Sequence, residues 1–171
     1  MILETQRLIL RELVPEDYPA LCRILQDEQT MYAYEGAFSD EEAHAWLEEQ
    51  FNRYRQLHFG LWAVVLKETG EMIGQCGLTM QNWKDGRVLE IGYLFQRAFW
   101  HHGYATEAAV ACKNYAFEVL GAGEVYSIIR DTNLPSQNVA RRNGMEIVDS
   151  TVKHYRGVDM PHDLFCVKRA Q

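Results

Sequence analysis

The chain has 171 residues, 47% hydrophobic and 24% charged, with a formal net charge of −7 at neutral pH. That length and balance suit a soluble globular protein with a real core, and residues 1–171 are expected to form a single domain. The negative charge argues against nucleic acid and anionic membranes as partners, and draws cationic groups such as amines weakly.

Four cysteines, Cys22, Cys76, Cys112 and Cys166, have no short spacing, so no zinc or redox motif is expected and no metal is assigned. They read as small core residues in a reducing cytosol. Charges stand too early at the N-terminus for a signal peptide, and no apolar run approaches membrane-spanning length. A cytoplasmic protein is expected.

In chain order, Arg7 to Arg11 alternates as a first strand. Pro15 opens a helix with Glu16 and Asp17 in its first turn, and Leu21, Ile24 and Leu25 form its inner face. Ser39-Asp40-Glu41-Glu42 is a capping box announcing a second helix, whose stripe is Ala43, Trp46, Leu47, Phe51 and Tyr54. The loop between these helices, residues 30–38, is rich in aromatics. Gly60–Leu66 and Met72–Leu78 flank Lys67-Glu68-Thr69-Gly70 as a hairpin. A turn at residues 82–86 precedes a strand over Val88–Phe95. A helix then opens at about Tyr104, with Ala105, Ala108, Ala109, Cys112 and Ala116 on one face and Gly121 as its stop. Residues 124–129 form a buried strand. A short helix spans Pro135 to Asn143 and is halted by Gly144, and residues 145–155 and 163–168 close the sheet.

The strand–turn–helix at residues 90–120 carries the first functional signal. Free backbone N–H groups in the first turn of that helix, backed by its dipole, make an anion site at Gly103 to Thr106. An elongated, phosphate-bearing ligand fits that layout. Neither a Gly-x-Gly-x-x-Gly nor a Gly-Lys-Ser/Thr ending is present.

Trp100-His101-His102-Gly103-Tyr104-Ala105-Thr106-Glu107-Ala108 resembles the pyrophosphate-binding turn of the GNAT superfamily of N-acetyltransferases, in particular its RimJ/RimL-like branch. That branch usually has Gly where His101 stands, and often Lys or Arg where His102 stands. A side chain at position 101 is tolerable there only with negative φ. The opening Thr5-Gln6-Arg7-Leu8-Ile9-Leu10-Arg11 is similar to the start of the same branch. Asn133-Leu134-Pro135-Ser136-Gln137-Asn138-Val139-Ala140-Arg141-Arg142-Asn143-Gly144-Met145 resembles the second GNAT signature, with Met145 in place of Phe.

The resemblance implies the GNAT acyl-CoA N-acyltransferase fold, an α+β three-layer sandwich with a mixed, mostly antiparallel sheet of about seven strands and four helices. It implies acetyl-CoA as co-substrate and a primary amine as acceptor, either a protein N-terminus or a small molecule, in a monomer or homodimer. Cofactor contacts are expected from Leu94, Phe95, Trp100, His101, His102, Gly103, Tyr104, Ala105, Thr106, Asn133, Asn138 and Arg142. A backbone N–H near Phe95 is the expected oxyanion donor, and Tyr32, Tyr34 and Glu35 would wall the acceptor pocket, the alternative being that the aromatics of this loop cap the core from above.

A base is useful because an α-amine is mostly protonated at neutral pH. Glu90 is the candidate, and the alternative is a strand residue making a structural hydrogen bond. Ala140 stands where many family members have the Tyr that meets the leaving thiolate. Ser136 is the substitute candidate, with helix capping as its competing role. The missing Tyr leaves open a second class of function, an acetyl-CoA-binding sensor without catalysis.

Overall fold

The structure is a computed structural model that describes residues 1–34, 36–155 and 157–171. Eight strands form a single sheet: β1 (Leu3–Glu4), β2 (Leu8–Arg11), β3 (Leu61–Leu66), β4 (Met72–Trp83), β5 (Gly86–Phe95), β6 (Glu124–Arg130), β7 (Glu146–Tyr155) and β8 (Val158–Lys168). Their spatial order is β1-β2-β3-β4-β5-β6-β8-β7. Neighbours run antiparallel except β5 and β6, which run parallel. The helices are α1 (Tyr18–Leu25), α2 (Asp40–Leu57), α3 (Tyr104–Glu118) and α4 (Leu134–Arg142).

Two consecutive residues of β4 show how the layers are stacked. Gln75 and Cys76 point to opposite faces of the sheet, as alternation requires. Gln75 accepts the Trp46 indole N–H of α2 at 3.0 Å. Cys76 Sγ lies 3.7 Å from Cys112 Sγ on α3. Helices α2 and α3 therefore cover opposite faces. Asn143, just past α4, donates to the Ala109 carbonyl of α3 at 3.2 Å, which seats α4 beside α3. The core between these layers is filled by Leu8, Leu10, Trp62, Ile73, Leu78 and Phe165, all fully buried.

The expected elements are present, with local corrections. The eighth strand is β1, two residues paired Leu3↔Leu10 and too short to show a period. Strand β8 starts at Val158 rather than Asp163. Proline has no N–H to give a ladder, yet Pro161 sits within β8 opposite Val152, and its carbonyl accepts the Asp131 N–H at 3.1 Å. The first helix is split: Pro15–Asp17 is a 3-10 turn, and the α-helix begins at Tyr18. The capping box of α2 forms in both directions between Ser39 and Glu42. Helix α3 ends at Glu118, and Gly121 (φ +71°) turns the chain a few residues later.

Sheet pairing stops at one place that matters. Strand β5 pairs with β4 from Trp83↔Gly86 to Gly74↔Phe95, but with β6 at the single position Glu90↔Tyr126. Beyond that point the two parallel strands separate.

Candidate active site

The separation of β5 and β6 opens a cleft of about 400 Å³. Its walls come from β5 (Glu90 to Leu94), β6 (Ser127 to Arg130), α2 (Trp46, Glu49, Gln50, Arg53), the loop before α2 and the start of α4. Side chains prop the gap open. Ser127 donates to the Ile91 carbonyl at 2.8 Å, and the Ile128 N–H donates to Glu90 Oε2 at 2.7 Å. Across the cleft, Tyr93 donates to the Ser136 carbonyl at 2.7 Å. The first two bonds satisfy strand backbone groups that a continuous ladder would have paired.

Glu90 is half-buried on the cleft wall. Burial pushes its carboxyl up to about 7, against the downward pull of the Ile128 amide and of Lys153 and Arg53. A carboxyl that titrates near neutrality and reaches the cleft is suited to exchanging a proton with a bound amine. Tyr93, three residues on, is held protonated far above the ordinary phenol range by burial and by nearby Cys76 and Glu90, against the downward pull of its bond to Ser136.

The start of α3 is built differently from the starts of α2 and α4. Ser39 and Asn133 cap those two with side chains, whereas Gly103 at the start of α3 supplies none. Its φ of +80° demands glycine, and a Cβ there would come within 3.4 Å of Arg7 Nη2. Among the described residues no side chain caps the first-turn amides of α3, as a phosphate-binding helix start requires.

Arg7 and Thr5 brace this turn from the bend between β1 and β2. Thr5 donates to Glu107 Oε2 at 2.6 Å, the Arg7 backbone donates to the same oxygen at 2.9 Å, and Arg7 Nε donates to Glu107 Oε1 at 2.8 Å. Arg7 Nη1 also donates to the His102 carbonyl at 2.9 Å, and its guanidinium lies 4.4 Å from the Tyr104 ring centroid. Burial raises the Glu107 carboxyl, but its bonds to Thr5 and Arg7 outweigh that and hold it ionised below its usual range. The one acidic side chain in the first turn of α3 is thus neutralised by Arg7 rather than left to repel an anion.

The structure distributes the expected residues unevenly. Glu90, Leu94, Asn133, Ser136 and Tyr34 line one cleft. Ser136 is half-buried, and its hydroxyl has no partner among the described residues; Asn133, not Ser136, caps α4, accepting the Ser136 N–H at 3.3 Å. Phe95 is buried, and its carbonyl accepts the Trp100 indole N–H at 2.9 Å. His101, His102 and Gly103 are exposed at the turn, with Tyr104, Ala105 and Thr106 half-buried behind them. Asn138 and Arg142 are exposed on α4.

Tyr34 packs edge-on against Phe38 and Trp46, while Tyr32 lies under Arg130. Glu35 lies outside the described residues. Position 101 requires a correction. His101 adopts φ +67°, not the negative value expected, because the turn keeps the left-handed shape that glycine would allow.

Several participants escape a reading of the sequence alone. The Thr5–Arg7–Glu107 brace spans a hundred residues of chain, and its only linear trace is the Thr-x-Arg opening. Tyr93 looks like one more apolar strand residue. Arg53, Arg130 and Lys153 converge on the cleft from α2, β6 and β7 with no shared motif.

An open β5–β6 seam, an uncapped helix start beside it and a half-buried carboxyl in the cleft define the class of an acyl-transferring enzyme. The chain belongs to the acetyltransferase (GNAT) family, whose domain matches residues 7–146. It is 36% identical to the Bacillus subtilis (strain 168) protein YkkB over 146 residues, 84% of each chain. It is 34% identical to the N-acetyltransferase p20 of Bacillus licheniformis over 144 residues, 78% of this chain and 76% of that one. The crystal structure of an acetyltransferase from Agrobacterium tumefaciens str. C58 superposes with a TM-score of 0.80 at 27% identity, covering 98% of this chain and 94% of that one.

Proposed function

We propose that the chain transfers the acetyl group of acetyl-CoA to a primary amine by direct attack within a ternary complex. The observation that carries this reading is Glu90, a carboxyl with a pKa of about 7 on the wall of the cleft between the parting strands. The first-turn amides of α3, from Gly103 to Thr106, bind the pyrophosphate, with Trp100 packed behind the turn. The thioester runs along β5, where a backbone N–H near Leu94 and Phe95 donates to the carbonyl oxygen as it gains charge.

The neutral amine nitrogen attacks the thioester carbon, its C–N bond forms and the C–S bond breaks. Glu90 takes the proton the nitrogen gives up, directly or through water. The sulfur departs as thiolate toward Ser136, whose unengaged hydroxyl donates a hydrogen bond to it. Holding the two reactants side by side supplies much of the acceleration. Tyr34 lines the acceptor side, and Tyr32 lies behind it against Arg130.

The test is thiol release from acetyl-CoA across a panel of amines and N-terminal peptides, with the N-acetylated product identified by mass. Amine-dependent release with matching product is expected. Acetyl-CoA binding without acetylation of any amine would refute transfer and leave a sensor.

A further inference from the structure

This inference rests on the transferase reading and concerns what the acceptor carries besides its amine. Five charged side chains line the cleft, Arg53, Arg130 and Lys153 against Glu49 and Glu90. Both carboxylates are engaged. Glu49 lies 3.5 Å from Arg53, and Glu90 accepts the Ile128 amide.

The cations are less well matched. Arg130 gives Nη1 to the Tyr32 carbonyl at a long 3.4 Å and lies 5.6 Å from that ring's centroid. Its Nε–H is buried with no acceptor among the described residues, a state folded proteins rarely leave without a reason. Lys153 reaches the same cleft from β7 and has no carboxylate partner among the described residues. Arg53 and Lys153 both act on Glu90, and Arg130 and Lys153 both act on His162, so the three share one small space. None of the α3 residues at Gly103 to Thr106 lines this cleft, so these cations stand apart from the phosphate-binding turn.

We propose that the acceptor is an amine that also bears an oxyanion, a carboxylate or a phosphate-type group, seated with nitrogen toward Glu90 and anion between Arg130 and Lys153. A free amino acid and a peptide with an acidic N-terminal residue share that chemistry. A polyamine or aminoglycoside would set its remaining ammonium groups against Arg130 and Lys153, with no unengaged carboxylate among the described residues that line the cleft. The chain's overall charge of −7 does not override this, because surface charges beyond about 10 Å are screened.

The test compares kcat/KM for acetyl-CoA-dependent acetylation within matched pairs. Amino acids are set against their carboxamides, 2-aminoethylphosphonate against propylamine, and Asp- or Glu-initiated peptides against their Asn or Gln counterparts, with spermidine as the polycation. The anionic member should lead by roughly 10- to 100-fold, the size of a charge-assisted pair. Whichever pair shows the larger ratio identifies the source of the anion.

Arg130→Gln and Lys153→Gln should each shrink the ratio at least several-fold while acetyl-CoA affinity, read by calorimetry, stays constant. Lys153 is exposed, so its variant keeps the test valid if Arg130→Gln fails to fold. Ratios near one, or spermidine ahead of every other amine, overturn this inference and leave the transferase reading standing. Absence of turnover with any amine overturns both.

Discussion

Glu90→Gln is the most informative single substitution, because it keeps an oxygen for the Ile128 amide and removes only the capacity for charge. In the folded protein burial lifts this carboxyl from 4.5 to about 7. Below the lower value it is protonated in both states and contributes no difference. Between the two values only the unfolded chain gives up its proton, so the native state loses stability as pH rises. Above the higher value the loss levels off at about 3 kcal/mol as an upper figure.

Glutamine escapes that cost. The variant should match the parent to within about 1 kcal/mol at about pH 5 and exceed it by up to about 3 kcal/mol at about pH 8, measured by urea unfolding. Activity should move the other way: kcat/KM falls roughly 10²- to 10³-fold, and the limb of the pH–rate profile near neutrality disappears. A variant that keeps the parent's pH profile would remove Glu90 from the chemistry. A stability difference indifferent to pH would show that the carboxyl is not held near neutrality at all.

Three further outcomes follow from the geometry. Arg7→Ala removes the brace beneath the α3 turn and should raise the KM for acetyl-CoA about tenfold with the acceptor KM unchanged, since a charge-assisted bond is worth roughly that much; equal changes in both constants would mark general damage. His101→Gly should gain about 1 kcal/mol in thermal or urea unfolding by relieving a left-handed backbone at φ +67°, and a loss would mean that the imidazole is structural. Gly77→Ala would set a Cβ 2.0 Å from the Gly60 carbonyl oxygen, so a loss of about 3 kcal/mol or more is expected by the same measurement.

What the sequence revealed was local in origin. The capping box at Ser39, the small-residue face of α3 and the glycine at position 103 each announce themselves within a few residues, because caps and helix periods are short-range physics. Glu90 could be picked out as an acid on a strand beside an anion site. Its raised pKa could not, since that comes from burial beside β6 outweighing the downward pull of the Ile128 amide.

Ser136 was ambiguous between cap and contact for a related reason: setting the cap aside requires knowing that Asn133 already takes the capping bond. The start of β8 at Val158 lay outside the expected strand, and a strand's tolerance of a residue such as Pro161 depends on what its neighbours need from the missing N–H, a property of the sheet. The bond from Tyr93 to Ser136 and the convergence of Arg53, Arg130 and Lys153 depend on chain crossings that no window of sequence contains.

The lone rung between β5 and β6 has a mechanical consequence. Five strands on one side and three on the other are joined there by little more than the Glu90 and Ser127 props, so the seam is the weakest line of the sheet. A guest whose own amides lie along that line would act as mortar. Occupancy should then show as resistance to heat that grows with the logarithm of ligand concentration, and as slowed amide exchange at residues 92–95.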